Sequence, residues 1–257
     1  MKKINITIAG ALGRMGKILI KRVSKNKNLK LISLTDIKSG KTINGIRIQK
    51  NNMEAFKKTD VIIDFSTPKA SLEILNYANK FKKKVVIGTT GFNSKQNNLI
   101  KNYSKKIAIF KSGNMSLGIN LLEYVVSIFS KKIPSNYQIG ISDDHHRRKV
   151  DYPSGTALML ANAVSKGKNK NLESIKGKMF LNKSGSLQKN KINFFISRKG
   201  NTIGKHSVNF NNKIENIELK HTAFSRDLFA DGALNAAVWI SKRNRGLFSM
   251  QDMLGLK

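Results

Sequence analysis

Residues Asp143 to Thr156, reading DDHHRRKVDYPSGT, concentrate proton-transfer and anion-binding chemistry in fourteen positions. They hold two of the chain's four histidines, three consecutive cations, three carboxylates and a Pro-Ser-Gly-Thr turn. Histidine titrates nearest neutrality and is the usual proton donor. Lysine can hold a carboxylate or depress a neighbouring pKa. His145 and Lys149 are four apart and would share one face of a helical turn. Ser154, Gly155 and Thr156 open an apolar helical pattern, so their N–H groups and hydroxyls form an anion site. Together these groups suit a small substrate bearing carboxylates. The plainer alternative is a solvated basic turn with a capped helix behind it. No metal site is expected: the chain has no cysteine and no His-Glu-x-x-His, and the adjacent His145 and His146 are poorly placed to ligate one ion.

Such a cluster needs a platform, and the first half of the chain has the pattern of one. Ile4 to Ala9 reads as a buried strand and runs into Gly10-Ala11-Leu12-Gly13-Arg14-Met15-Gly16, followed by a helical apolar pattern. In this strand-turn-helix setting, glycines let backbone N–H groups approach a pyrophosphate at the positive end of a helix. The spacing Gly-x-x-Gly-x-x-Gly departs from the commoner Gly-x-Gly-x-x-Gly. Leu29 to Thr35 reads as the second strand, and Asp36 at its end suits the ribose hydroxyls of a dinucleotide. A turn cap is the other reading of Asp36. Further strands are expected at Val61 to Phe65, Val85 to Gly88 and Ile107 to Phe110, alternating with helices. That alternation implies a parallel, doubly wound sheet with ligands beyond its carboxyl ends. Thr67, Thr89, Thr90 and Asn114 all fall at such ends.

After Ser116 the pattern changes. Leu117 to Phe129 reads as an amphipathic helix and Tyr137 to Ser142 as a strand. Thr156 to Val164 is helical, capped by Ser154 or Thr156. Gly167 to Lys191 is polar and reads as a loop region. Ile192 to Arg198, Thr202 to Phe210 and Ile214 to Thr222 read as strands without intervening helices, giving a mainly antiparallel or mixed open sheet. Arg226 to Ile240 is helical again, with a short tail helix at Leu247 to Leu254. The expected fold class is α/β: a Rossmann-like doubly wound parallel sheet plus a second α+β domain with an open mixed sheet. Residues 1–116 and 227–257 are expected to form the dinucleotide-binding domain, and 117–226 the substrate-binding domain.

The chain has 257 residues and a formal net charge of +33. That charge raises the alternative of a nucleic-acid binder. The lysines are dispersed over helices, loops and termini, with no RRM, KH or zinc-finger pattern, so compositional drift is preferred and no nucleic-acid partner is expected. The initial MKKINITIAG leads straight into a strand-turn pattern, and its apolar run is too short for a signal peptide. No run approaches the roughly 18–20 apolar residues of a membrane span, so a cytoplasmic protein with no membrane partner is expected.

The residues also carry a resemblance. Ala9 to Gly16 (AGALGRMG), Asp64 to Pro68 (DFSTP), Gly88 to Phe92 (GTTGF), Asn114 to Gly118 (NMSLG) and above all His145 to Ala157 (HHRRKVDYPSGTA) resemble the 4-hydroxy-tetrahydrodipicolinate reductase family, also called dihydrodipicolinate reductases. His206, His221 and Arg226 fall in order afterwards. The resemblance implies hydride transfer from NADH or NADPH to a cyclic dicarboxylic acid, giving tetrahydrodipicolinate, in the diaminopimelate route to L-lysine. It implies His145 and Lys149 as the catalytic pair, with His145 the proton donor. It implies that His146, Ser154, Gly155, Thr156 and Arg226 hold the substrate. It places the cofactor on Gly10, Ala11, Leu12, Gly13, Arg14, Met15, Asp36, Gly88, Thr89, Thr90, Ser112, Gly113, Asn114 and Met115. A homotetramer assembled through the second domain is implied as well. Two positions depart from the family's common pattern. Ile37, with Lys38 one further on, stands where an arginine able to meet a 2′-phosphate is common, which favours NADH. Met115 stands where phenylalanine is common, which should alter packing around the nicotinamide. A dehydrogenase acting on aspartate or homoserine is the rival enzyme reading.

Overall fold

The structure is a computed structural model and describes residues 2–256. Contacts divide the chain into two compact units, Met1–Ser116 with Arg226–Lys257, and Leu117–Ser225.

The first unit begins with β1 (Ile4–Ala9), α1 (Arg14–Val23) and β2 (Leu29–Thr35). A small β3 (Thr42–Ile43) and β4 (Ile46–Gln49) follow, then α2 (Met53–Lys57) and β5 (Val61–Asp64). The series continues through α3 (Pro68–Lys80), β6 (Lys84–Ile87), α4 (Ser94–Ser104) and β7 (Ala108–Lys111). All four residues of β5 are buried, as expected of a parallel strand covered on both faces. Thr67 caps α3 by accepting from the Ala70 N–H, and Pro68 fills the first turn, where its missing donor costs nothing. The sequence reading passed over α4, whose buried residues are only Ile100 and Ser104. A reciprocal Asn93–Gln96 capping box defines its start instead.

The second unit runs α5 (Leu117–Lys132), β8 (Gln138–His145), α6 (Gly155–Gly167), α7 (Leu172–Ile175) and β9 (Lys176–Leu181). It ends with β10 (Ile192–Arg198), β11 (Gly204–Asn211) and β12 (Asn216–Ala223). Its sheet has the order β12-β11-β8-β10-β9 and is mixed: β8 pairs parallel with β10 and antiparallel with β11. One face carries Ile139, Ile141, Ile192, Phe194, Ile196, Val208 and Phe210. They pack in one core with Ile119 and Val126 of α5 and Leu160, Ala161 and Val164 of α6. The stretch read as loop, 167–191, holds α7 and the edge strand β9. Asn171 caps α7 on the Glu173 N–H, and β9 is only half covered, so neither has strong apolar periodicity.

The chain then returns to the first unit through α8 (Asp227–Ile240), β13 (Gly246–Phe248) and α9 (Met250–Leu254). Arg226 opens this return and falls with the first unit, one residue before the expected boundary. The expected tail helix is shorter, because Gly246 to Phe248 extend the sheet beside β7. The completed order is β13-β7-β6-β5-β1-β2-β4-β3, parallel except for the β3–β4 hairpin. The direction of winding reverses between β1 and β5, which is where a doubly wound sheet opens a ligand crevice. Among the described residues no helix is long and apolar enough to cross a membrane.

The return helix packs closely against the loop after β7. A Cβ built on Gly232 would lie 1.7 Å from the Met115 carbonyl oxygen, so the backbone contact tolerates only glycine. Gly232→Ala should destabilise the first unit by about 1–3 kcal/mol through overpacking. Urea unfolding followed by circular dichroism checks this, and an unchanged midpoint would contradict it.

Candidate active site

In the first unit, β1 ends in a turn whose glycines leave no room for side chains. Gly10 has φ +77°, and a Cβ there would lie 2.2 Å from the Phe65 carbonyl oxygen at the end of β5. A Cβ on Gly16 would lie 2.2 Å from the Gly10 oxygen, so α1 starts hard against the turn. Gly10 and Ala11 donate to the Thr35 carbonyl at 2.9 and 3.0 Å. Gly13 is the N-cap of α1 and gives no side-chain cap, and the first turn carries no acidic residue. The helix therefore presents its N–H groups with Leu12, Arg14 and Met15 around them, an arrangement that fits a pyrophosphate. Asp36 braces this turn: its Oδ2 accepts the Leu12 N–H at 2.9 Å and its Oδ1 the Lys38 N–H at 3.4 Å. The neighbouring Ile37 side chain is 87% exposed.

The loops after β5, β6 and β7 are knitted together at the same sheet end. Fully buried Asp64 accepts from the Ser66 N–H and from the Ser66 and Ser71 hydroxyls. Burial raises its pKa, and these hydrogen bonds oppose the rise only in part. Thr89 Oγ1 accepts the Ser66 N–H at 2.9 Å, so its hydroxyl oxygen is committed to the frame, whereas Thr90 is exposed. Gly88 faces the Phe65 ring, and a Cβ there would lie 2.3 Å from it. In the last loop, Ser112 donates to the Asn114 carbonyl at 2.6 Å, and Asn114 Oδ1 accepts the Ser116 N–H at 2.9 Å. Gly113 is exposed, and Met115 is buried against Gly232.

In the second unit, the expected strand ending at Ser142 continues to His145, and this extension builds the site. Strand side chains alternate, so Asp143 and His145 share the face of Ile139 and Ile141. The register places His206 opposite Asp143, Arg198 beside His145 and His221 beside His206, all on that face. The apolar core face thus ends in a polar cluster. Gly204 is the β11 neighbour at its edge: a Cβ there would lie 3.2 Å from His145 Nε2. Absence of that side chain leaves the ring nitrogen clear.

Asp143 is the centre of the cluster. It is fully buried. Its Oδ1 accepts the Ser154 hydroxyl at 2.7 Å, and its Oδ2 accepts the Ser154 N–H at 2.7 Å and Arg198 Nη2 at 2.8 Å. His145 Nδ1 lies 3.0 Å and His206 Nε2 3.2 Å from Oδ1. Desolvation alone would raise the Asp143 pKa, but the histidines, Arg198 and Ser154 outweigh it and hold the carboxyl far below the usual range. Burial, outweighing attraction from Asp143, lowers the His206 pKa. Among the described residues, Asp143, His145 and His206 form the one group with metal-ligand atoms in reach of one another. Arg198 already supplies the compensating positive charge, which disfavours a divalent ion there.

Lys149 is not on a helix with His145. It follows the strand in a turn, its N–H donating to the His146 carbonyl at 3.0 Å. Its ammonium is held by both oxygens of Asp151, at 2.7 and 2.8 Å. Desolvation opposes ionisation of Asp151, but Lys149 prevails and lowers its pKa. Arg198 ties this turn to the strand by donating to the Asp143 carbonyl at 2.7 Å and the Asp151 carbonyl at 2.9 Å. The His146 N–H donates to the Thr202 carbonyl at 2.8 Å. Ser154 is the N-cap of α6, accepting the Ala157 N–H. Its hydroxyl and N–H both donate to Asp143, so both are spent inside the cluster. Gly155 is exposed with open space around it. Of the expected substrate residues, His146, Ser154, Gly155 and Thr156 lie in this unit, and Arg226 belongs to the other. Arg147 and Arg148 are exposed. Sequence reasoning gave no role to Asp143, Arg198 or His206. The alternation Ile139-x-Ile141-x-Asp143-x-His145 was the signal available for the first.

The family model described as "Dihydrodipicolinate reductase, N-terminus" matches residues 4–115, and that described as "Dihydrodipicolinate reductase, C-terminus" matches 118–254. The chain is 53% identical over 258 residues to the 4-hydroxy-tetrahydrodipicolinate reductase of Pelagibacter ubique (strain HTCC1062), covering 100% of both chains. It is 45% identical to the protein of that name from Buchnera aphidicola subsp. Cinara cedri, covering 98% of this chain and 97% of the relative. Among solved structures it is similar to a dipicolinate-bound dihydrodipicolinate reductase from Paenisporosarcina sp. TG-14, with TM-score 0.79, 22% identity and coverage of 98% and 100%. An aspartate dehydrogenase from Thermotoga maritima shares the fold more distantly, with TM-score 0.54, 13% identity and coverage of 94% and 98%.

The ionised Asp143 makes a prediction about acid stability. Its folded pKa is depressed, so its contribution is present above the unfolded value of about 4 and is lost as pH falls through the folded value. Asp143→Asn leaves Arg198 buried and unpaired, and should cost about 3–5 kcal/mol at pH 7. The gap from the unsubstituted protein should narrow as pH falls below about 4. Urea titrations at pH 7, 4 and 3 check both statements.

Proposed function

The chain belongs to the dihydrodipicolinate reductase family, and from that premise we propose that it catalyses the reaction for which its relatives are named. It is a nicotinamide-dependent 4-hydroxy-tetrahydrodipicolinate reductase of the diaminopimelate route to L-lysine. The observation that carries the reading is the gathering of His145, Lys149 and the α6 N-terminus in one unit of a chain matched from end to end by such reductases.

When bound, the nicotinamide cofactor supplies the hydride. The uncapped start of α1 and residues Gly10 to Met15 hold its pyrophosphate. Asp36 has acceptor capacity left for the ribose hydroxyls beyond the Leu12 and Lys38 N–H groups it serves. Gly88, Thr89, Thr90 and the Ser112–Met115 loop would hold the rest of the cofactor. The substrate's carboxylates are held by Lys149, by Gly155 and Thr156 at the start of α6, and by His146. To reach Lys149, a carboxylate displaces that of Asp151, exchanging one ion pair for another. His145 delivers a proton from Nε2 as negative charge develops on the ring, and the fixed cationic donors hold that ring in attack geometry.

Ile37 favours NADH. An exposed isoleucine beside Asp36 offers a 2′-phosphate no positive charge, and Asp36 repels it. The protein is read as a cytoplasmic homotetramer, on family resemblance. The +33 charge draws anionic ligands generally and is read as serving no nucleic-acid complex.

Substrate-dependent NADH oxidation tests the function. His145→Ala and Lys149→Ala should each lower kcat about 10²–10⁴-fold; unchanged rates in both would overturn the site. kcat/KM should be higher for NADH than for NADPH. A bias of about tenfold toward NADPH, equivalent to about 1.4 kcal/mol in the transition state, would contradict the cofactor assignment.

A further inference from the structure

Of the acidic residues in the second unit, Asp143 alone is fully buried, and its surroundings do more than neutralise it. Ser154 and Arg198 hold its two oxygens from one side by hydrogen bonds of 2.7–2.8 Å. On the other side, Oδ1 lies 3.0 Å from His145 Nδ1, a close approach that does not meet hydrogen-bond geometry. The opposite ring nitrogen, Nε2, is the one that Gly204 leaves clear. Arg198 also reaches the Asp151 carbonyl, at the far end of the turn that carries Lys149.

We propose that Asp143 is the positioning residue of the proton donor: it keeps the His145 proton on Nδ1 and stabilises the imidazolium, so that Nε2 is the atom that gives up a proton. Arg198 holds this carboxylate in place and fixes the Lys149 turn relative to it. The inference rests on the reading of His145 as the donor. Neutral imidazole carries one N–H, and a carboxylate facing Nδ1 selects the tautomer with its proton there. Protonation of Nε2 then gives a cation beside Asp143, and transfer from Nε2 returns the ring to the same tautomer. The proton balance closes without rotation of the ring.

The charged and titratable groups around His145 are few. Asp143 is on its own strand, Arg198 on β10, His206 on β11 and His221 on β12. Lys149 and Asp151 are in the following turn, and α6 brings Ser154. Burial lowers the pKa of both His206 and His221.

Three variants and one measurement test the inference. Asp143→Asn removes the charge, and Asp143→Asn with Arg198→Met removes both members of the pair, so no buried cation is left alone. Asp143→Glu is the conservative control. In folded variants lacking the carboxylate, kcat should fall on the order of 100-fold with KM little changed. The alkaline limb of the kcat profile should move to lower pH by about one unit, because the imidazolium has lost its counter-charge. Asp143→Glu should recover part of the rate and the original limb. A rate loss without a moved limb would reduce Asp143 to a structural ion pair and overturn the inference. Independently of turnover, nitrogen NMR of the ¹⁵N-histidine-labelled, unsubstituted protein reads the tautomer. Neutral His145 should carry its proton on Nδ1; a proton on Nε2 overturns the inference even if none of the variants folds. If the unsubstituted protein shows no reductase activity, the functional reading fails, while the tautomer still decides whether Asp143 orients His145.

Discussion

The buried Asp143–Arg198 pair is the interaction on which the second unit's polar end depends. Each charge would be costly alone in the interior, and neither is well served by water there. The fork of Arg198 reaches one carboxylate oxygen and three backbone carbonyls, while Ser154 serves both oxygens of the same carboxylate. That network joins the end of β8, the end of β10, the start of α6 and the turn between β8 and α6. The ring of His145 and the ammonium of Lys149 are held from opposite ends of one connected frame. An apolar replacement could pack as well, but it would leave the histidine without a facing charge.

The helix N-termini of the proposed cofactor and substrate sites are built differently. The start of α1 has a glycine as its N-cap, and its N–H groups remain for a ligand. The start of α6 is capped by Ser154, whose backbone N–H and hydroxyl are both spent on Asp143. The first suits a phosphate-bearing cofactor approached by backbone alone. The second is anchored to the buried charge network through Ser154. In both units an acidic side chain organises a basic or N–H-rich surface from behind: Asp36 by bracing the Leu12 N–H, and Asp143 by holding Ser154.

The first unit's sheet was legible in the sequence because its signals are local. β-branched runs at Ile4, Leu29 and Val61 alternate with helical spacing, and the glycine turn follows the first run directly. The strand ends were read within a residue or two, as at β1 and β2, whose limits agree with the expected ones. Elements with little buried apolar surface escaped. α4 starts with a capping box but buries few side chains, and β9 pairs at an edge with half its surface covered. Their stability comes from caps and from a strand neighbour distant in sequence, neither of which leaves a periodic trace.

For the site, the sequence by itself determined which groups could move a proton or hold a carboxylate: His145, Lys149 and the Ser154-Gly155-Thr156 turn. It also determined the glycine turn and Asp36, because steric allowance and an acid at a strand end are local properties. Only the tertiary structure decided how those groups are arranged. Residues 145 and 149 are not stacked on a helix, since β8 continues through His145 and the chain then turns. Ser154 faces inward because Asp143, eleven residues earlier, takes its N–H and hydroxyl. Arg198 and His206 lie more than fifty residues beyond Asp143 and meet it only through the pairing of β8 with β10 and β11. Strand register is set by turns and by the packing of a whole face. The charge network therefore exists only once the sheet has formed.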